Sequence, residues 1–114
     1  MTATPERLVV MLYDGAIRFL HQAAAAMRAG DPVRAHDRLR RAEAIVDELN
    51  FTLDLDKGGE VAERLRGIYL FCKRHLLESN LRRDPAGIDS VAKLLGELRQ
   101  SWDELAVESL RLSA

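Results

Sequence analysis

Residues 31–53 read DPVRAHDRLRRAEAIVDELNFTL. The stretch opens with Asp31 as a side-chain acceptor at the N-cap and Pro32 at the first helical position, two residue types that favour a helix start. Its apolar residues then recur at alternating steps of four and three, which places them along one side of a helix. They are Ala35, Leu39, Ala42, Val46, Leu49 and Leu53. The stretch therefore predicts one amphipathic helix that packs along a continuous seam.

Two further helix starts have the same form, Thr4-Pro5 and Asp84-Pro85. Between the second and third helices, residues 53–59 end in Gly58-Gly59, which breaks the helical pattern. Four helices of similar length with short connections predict an all-α fold, an antiparallel up-down-up-down four-helix bundle in a single domain of residues 1–114. The predicted helices span about 5–29, 32–52, 59–82 and 85–110.

The composition excludes several classes of protein. Seventeen basic and eighteen acidic residues give a net charge of −1, so no global field steers the chain onto nucleic acid or an anionic membrane. No apolar run approaches the roughly 18 residues of a membrane span, and the N-terminal residues lack the pattern of a signal peptide. The single cysteine, Cys72, forms no internal disulfide. We therefore expect a cytoplasmic protein without nucleic-acid binding or membrane insertion.

Helix one carries more apolar surface than a bundle helix needs. Its predicted core stripe runs from Leu8 to Ala26. A second stripe widens the apolar arc to roughly 250°, whereas an amphipathic helix needs little over 100°. The second stripe consists of Val10, Tyr13, Ile17, Leu20 and Ala24.

Helix three shows the same surplus, and helix four does not. The core stripe predicted for helix three includes Val61 and Tyr69, and Leu70, Leu77 and Leu81 line the opposite face. Helix four has one seam of ordinary width with polar residues on its other side. That seam is Ile88, Val91, Leu95, Leu98, Trp102 and Leu105.

The surplus apolar surface has two interpretations. Contiguous exposed apolar residues mark a partner surface, and an amphipathic partner segment could lie along grooves in the bundle. Alternatively, the helices pack obliquely, or the protein self-associates through the same stripes. On the first interpretation the candidate binding residues are Val10, Tyr13, Ile17, Leu20, Leu70, Leu77 and Leu81.

No pattern of catalytic, cofactor-binding or metal-ligating residues is present in the sequence. Glu-x-x-His pairs of a di-iron bundle are missing, and the three histidines fall on separate helices. Asp54 and Asp56 resemble the start of a calcium loop, but Leu65 stands where a bidentate Glu is required. Cys72 lies on the predicted core face, where a thiol is inert. We expect neither an enzyme nor a cofactor.

Two residues of helix one have structural rather than chemical explanations. Gly15 costs about 1 kcal/mol relative to alanine inside a helix, so we expect another helix to approach closely there. Asp14 precedes Arg18 by four residues, a spacing that permits an ion pair along the helix.

Several segments resemble a known family. Thr4-Pro5-Glu6-Arg7-Leu8, followed by MLYDGAIRFL at residues 11–20, closely resembles the first helix of the flagellar secretion chaperone family FliS. The similarity continues in the same order over nearly the whole chain. The other matching segments are 44–49, 53–54, 57–62, 77–80 and 94–102.

The resemblance implies an antiparallel helical bundle that binds the disordered C-terminal region of flagellin and keeps it from polymerising in the cytoplasm. It also implies delivery of flagellin to the flagellar type III export gate. An additional export-gate or regulatory partner is left open, as is a choice between a monomer and a weak homodimer.

The sequence departs from the family at its N-terminus. Family members usually carry a further polar stretch before the Thr-Pro start, and that stretch is thought to cover part of the client groove. Here the sequence begins almost at the cap, which predicts either a shortened chain or an uncovered groove. Two functions are therefore carried forward, a flagellin export chaperone and a structural helical-bundle homodimer without a flagellin client.

Overall fold

The computed structural model describes residues 3–113, without the side chains of Ser109 and Ser113, and this part of the chain forms four α-helices and no strand. The predicted all-α four-helix bundle is confirmed. The observed bounds agree with the predicted ones to within one residue, except that the third helix begins four residues earlier and the fourth ends three residues later. The helices are α1 (Pro5–Arg28), α2 (Pro32–Phe51), α3 (Leu55–Arg82) and α4 (Pro85–Ser113).

Three helices begin at the caps that the sequence predicts. Thr4 Oγ1 accepts a hydrogen bond of 3.2 Å from an N–H of the first turn of α1. Asp31 Oδ1 and Asp84 Oδ1 each accept one of 3.1 Å at the starts of α2 and α4. These acceptors satisfy N–H groups that have no carbonyl partner within the helix, so local sequence determines where each helix starts.

α3 is kinked at Gly59, where φ is 53° and ψ is −130°. Residues with a Cβ avoid this region of backbone conformation, so the position requires glycine. The turn before the kink begins at Leu55 and is capped by Asp54, whose carboxylate accepts two backbone hydrogen bonds. The regular part of α3 therefore follows Gly59, close to the predicted start.

α1 is the helix with the closest neighbours. It packs tightly against α2 on one side and α4 on the other, whereas α3 meets α2 and α4 more loosely. α3 faces α1 across the diagonal of the bundle, where the hydroxyls of Tyr13 and Tyr69 share a hydrogen bond. This order of neighbours is that of an up-down-up-down bundle.

The arrangement corrects the prediction for α1. Val10, Tyr13 and Leu20, predicted to lie on an outer stripe, are fully buried in the core. Ile17 is partly buried and packs against the same core. The physical reason is that α1 has close neighbours on two sides and α3 across the diagonal, so packing uses most of its apolar arc. Val10, Tyr13 and Leu20 are therefore unavailable to a partner at the surface, and Ile17 is only partly available.

The predicted apolar seams are buried in the middle of the bundle, but they are exposed at one end. Ile88, Val91 and Leu95 of α4 are buried as predicted. Leu8 of α1 and Val61 of α3, also predicted to lie in the core, are 51% and 66% exposed. The bundle is therefore open at the end where α1 and α3 begin.

Two structural expectations for α1 have different outcomes. A Cβ on Gly15 would lie 3.2 Å from Ile45 Cδ1, so close approach by another helix is confirmed, with α2 as that helix. Asp14 does not pair with Arg18. Its Oδ1 lies 2.7 Å from Nε of Arg99, because Asp14 faces α4.

The junction of α3 and α4 yields a test of the packing. A methyl group at Gly87 would overlap the hydroxyl of Ser79 and lie 3.0 Å from its Cβ, whereas a methyl group at Gly96 would meet nothing. We expect Gly87→Ala to lower the free energy of unfolding by about 1 to 3 kcal/mol through overpacking. Gly96→Ala should raise it by up to about 1 kcal/mol through helix propensity.

Urea unfolding of the two variants beside the parent protein measures both effects. Because both glycines lie in α4, the comparison separates the steric effect from the general effect of glycine in a helix. Equal stability of the two variants would show that the α3–α4 junction is looser than the structure indicates.

Candidate functional site

The open end of the bundle contains an apolar groove of about 460 Å³. We call it the open-end groove. It runs between the first turns of α1 and the first turns of α3 after the kink, and residues 52–54 close one end. Its lining consists almost entirely of apolar atoms. The lining residues are Pro5, Leu8, Val9, Leu12, Thr52, Leu53, Asp54, Gly58, Val61, Ala62, Leu65, Tyr69 and Trp102.

The start of α3 explains why this end stays open. Gly58 contributes no side chain to the groove wall, and a Cβ there would lie 2.7 Å from that of Ala62. The kink at Gly59 turns the preceding residues out of line with the regular part of α3, so no straight helical turn extends the seam beyond Val61, and Val61 stands at the rim instead of in the core. Leu8 stands at the opposite rim. Two large aliphatic side chains are thus half exposed beside a cavity that neither of them fills.

The groove floor contains a buried pair of tyrosine hydroxyls. Tyr69 lies at the bottom, and its hydroxyl is hydrogen-bonded to that of Tyr13 in α1. Burial raises the pKa of Tyr13 above its ordinary value of 10.0, while hydrogen bonds with Tyr69 and Trp102 act in the opposite direction. Burial and the hydrogen bond to Tyr13 raise the pKa of Tyr69 as well. Both hydroxyls are therefore neutral at physiological pH, and their role is to join α1 to α3.

Ion pairs connect α1, which forms one wall of the groove, to the neighbouring helix α4. Nη1 of Arg7 in α1 lies 2.9 Å from Oδ1 of Asp103 in α4. The pair of Arg99 with Asp14 joins the same two helices, and Arg99 also reaches Asp103 at 3.9 Å. Among the described residues, α3 has no ion pair to another helix at this end. The wall formed by α1 and α4 is therefore the more firmly fixed one.

The structure divides the sequence-predicted binding residues into two groups. As described above, Val10, Tyr13 and Leu20 are buried and Ile17 is partly buried. The remaining three are exposed on the outer face of α3, away from the groove. We call them the leucine row: Leu70, Leu77 and Leu81.

The sequence-based interpretation did not identify the groove. Leu8 and Val61 have the spacing of core residues, so periodicity alone assigns them to the seam. The only local signal is Gly58-Gly59, which indicates that the backbone turns just before Val61. Trp102, predicted as a core residue, is partly buried and forms part of the groove lining.

The described residues show no group of three or more His, Cys, Asp or Glu side chains that could hold a metal ion. Cys72 is buried in the core, and burial raises the pKa of its thiol to about 11. No helix in the described part of the chain is long and apolar enough to cross a membrane.

Comparison with known proteins gives consistent matches. The family model described as "Flagellar protein FliS" matches residues 1–109. The flagellar secretion chaperone FliS of Salmonella typhimurium is 37% identical over 107 residues, which cover 93% of this chain and 79% of the relative. The proteins of the same name from Vibrio cholerae and Bacillus subtilis are 34% and 33% identical. Those alignments cover 98% and 96% of this chain, and 82% and 80% of the relatives.

The buried titratable side chains of Tyr13, Tyr69 and Cys72 predict that the protein loses stability at alkaline pH. Because the folded state favours the neutral Cys72 thiol, the unfolded chain releases this proton first, from its ordinary pKa of 9.0. The stabilisation is therefore complete below pH 9 and is lost as the pH rises towards about 11. The raised pKa values of Tyr13 and Tyr69 act in the same direction above pH 10.0.

Urea unfolding at a series of pH values from neutral to about 11 tests this prediction. Cys72→Ala should give a shallower decline than the parent protein above pH 9, and Tyr69→Phe a shallower decline above pH 10. Lysine titration contributes equally to all three proteins, so the differences isolate the buried groups. Parallel curves for parent and variants would contradict the assignment.

Proposed function

The chain belongs to the FliS family of flagellar secretion chaperones, and on that premise we propose that it binds the disordered C-terminal region of flagellin. The observation that carries the proposal is the open-end groove with Leu8 and Val61 exposed at its rim. A bound apolar segment would remove these side chains from water. Complete burial of a Leu or Val side chain contributes about 1.5 to 3 kcal/mol, so the rim is a favourable place for a client.

The proposed mechanism is stoichiometric masking in the cytoplasm. Flagellin bound in this way cannot polymerise before export, and the complex delivers it to the flagellar type III export apparatus. Binding orders a disordered segment, and the entropy lost offsets part of the gain from apolar burial. Relatives with the name of secretion chaperone fit a protein that acts by binding and not by catalysis.

The leucine row is proposed as a second client contact. Its three side chains are between 46% and 75% exposed, and they lie on a different side of α3 from the groove. A disordered client can contact both sides of α3 because it wraps around the surface instead of docking as a rigid body.

Calorimetric titration with the last roughly 40 residues of the cognate flagellin tests the proposal, because coupled folding buries a large apolar area. We expect one peptide per chain and a negative heat-capacity change. Trp102, the chain's one tryptophan, lines the groove, so its fluorescence should change on binding. If the groove binds a second copy of this protein instead of the peptide, the protein forms a homodimer, which light scattering detects.

Val61→Asp is the sharpest test of the groove, and Val33→Asp is its matched control. Both valines are exposed near the start of a helix, 66% and 80%, but Val33 lies at the opposite end of the bundle. Exposed substitutions shift stability by about 0.5 kcal/mol, so both variants should keep their helical circular dichroism. Val61→Asp should weaken peptide binding at least about tenfold, which corresponds to 1.4 kcal/mol, and Val33→Asp should not.

Equal weakening by both substitutions, or by neither, would exclude the groove as the client site. A protein that binds no flagellin peptide and stays dimeric at low micromolar concentration would favour the structural homodimer.

A further inference from the structure

A cationic patch lies on the outer face that α1 and α2 share, opposite the face formed by α3 and α4. Its centre is the partly buried Phe19 of α1. Two guanidinium groups lie over the ring of Phe19, that of Arg18 at 5.6 Å and that of Arg41 in α2 at 5.9 Å from the ring centroid. Arg34 and Arg38 continue the positive charge along α2. We call these four cations the arginine patch: Arg18, Arg34, Arg38 and Arg41.

Helical geometry places the three arginines of α2 on one side of that helix. At 100° and 1.5 Å per residue, Arg34, Arg38 and Arg41 fall within a strip about 60° wide that runs about 10.5 Å along α2. Arg41 reaches the ring of Phe19, so this strip borders α1. The arginine patch therefore spans both helices, from the middle of the bundle towards the turn that joins α1 to α2.

The order of charges along α2 opposes the helix dipole. Residues 32–42 contain four arginines and one acidic residue, Asp37, whereas residues 43–51 contain three acidic residues and no basic one. The N-terminus of a helix carries partial positive charge and the C-terminus partial negative charge, so the reverse order would stabilise α2. The stability of α2 therefore does not explain why these arginines are present.

Ion pairs within the bundle neutralise only part of the arginine patch. Arg38 and Arg41 share one carboxylate oxygen, Oδ2 of Asp37, at 2.9 and 3.1 Å. Arg18 and Arg34 are exposed and take part in none of the ion pairs among the described residues. Guanidinium groups donate paired hydrogen bonds to carboxylates. An acidic partner would therefore meet Arg18 and Arg34 without breaking an existing pair.

Two other occupants fit the arginine patch less well. Nucleic acid binds through a long series of phosphate contacts and by stacking bases on aromatic rings. Here a few cations surround one ring, and two of them lie over that ring. In a twofold dimer whose axis passes through the patch, each cation would face the cations of the other copy. A protein segment with a few carboxylates matches both the small size and the charge of the patch.

We propose that the arginine patch is a docking site for an acidic segment of a protein partner other than the client, and that the partner and the client bind at the same time. The second half of this statement rests on the proposed function. Arg41 lies about 16 Å along α2 from Thr52, which lines the open-end groove, and the leucine row lies on α3. An acidic segment at the patch therefore covers none of the surface proposed for the client.

Two designed peptides test the charge chemistry directly. Each is a helix of about 18 residues, and the two sequences differ only in one face, which carries Glu in the first peptide and Gln in the second. We expect calorimetry to show at least about tenfold tighter binding of the Glu peptide, and a decrease of this preference as the salt concentration rises. Equal binding of the two peptides would overturn the proposal.

Two double variants with the same change of net charge locate the binding site. Arg18→Gln, Arg34→Gln removes two cations of the arginine patch and should abolish the preference for the Glu peptide. Arg40→Gln, Arg74→Gln removes two exposed cations from other faces of the bundle and should keep the preference. All four residues are exposed, so both variants should retain the helical circular dichroism. Loss of the preference in both variants would show that net charge attracts the peptide and that the patch does not.

The flagellin C-terminal peptide tests the simultaneous binding separately. A saturating concentration of it should leave the affinity of the Glu peptide unchanged. Displacement of the Glu peptide would make the arginine patch part of the client site and would overturn the proposal. If the flagellin peptide does not bind the parent protein at all, the proposed function fails, while the designed peptides still decide the chemistry of the patch.

Other occupants of the arginine patch give distinct results. A single-stranded oligonucleotide that binds more tightly than the Glu peptide, and that loses binding in Arg18→Gln, Arg34→Gln, would indicate a nucleic-acid site. A homodimer that the same double variant dissociates would indicate a second copy of this chain. Either result would overturn the proposal.

Discussion

The structure depends on the burial of α1 between α2 and α4. Gly15 allows Ile45 of α2 to approach closely, and the pair of Asp14 with Arg99 fixes the opposite side to α4. Because these two neighbours pack along most of α1, α3 can approach it only across the diagonal. The remaining features of the molecule, an apolar groove and an exposed leucine row, both lie on α3, the helix that this arrangement leaves most loosely packed.

A directional contact holds α3 in register. Buried hydroxyls require partners, and Tyr13 and Tyr69 satisfy this requirement with each other. Apolar packing alone tolerates small shifts of one helix along another, whereas a hydrogen bond between two buried side chains does not. The bond lies at the floor of the groove, so the contact that secures α3 also forms the base of the proposed client site.

The sequence determines the parts of this fold that depend on local interactions. Thr4, Asp31 and Asp84 cap their helices within one turn, so the helix starts could be read directly. The burial of Tyr13 could not be predicted in this way, because periodicity gives the width of an apolar arc and not the number of helices that pack against it. The exposure of Val61 was missed for a related reason: its spacing is that of a core residue, and whether a neighbouring helix covers the first turn after Gly59 is a property of three-dimensional packing.

The open groove carries an energetic cost that the bundle could have avoided. Val61, in the first turn after the kink at Gly59, is left 66% exposed, whereas complete burial of such a side chain contributes about 1.5 to 3 kcal/mol. Gly59 also loses more conformational entropy on folding than an alanine in a regular helix would, which lowers stability by about 0.5 to 1 kcal/mol in comparison. These two losses are a substantial fraction of the 5 to 15 kcal/mol by which domains are typically stable. They become useful if another chain completes the seam, because the apolar surface that α3 leaves uncovered is then buried in the complex. In that case the burial of this surface contributes to the free energy of binding and not to the stability of the free protein.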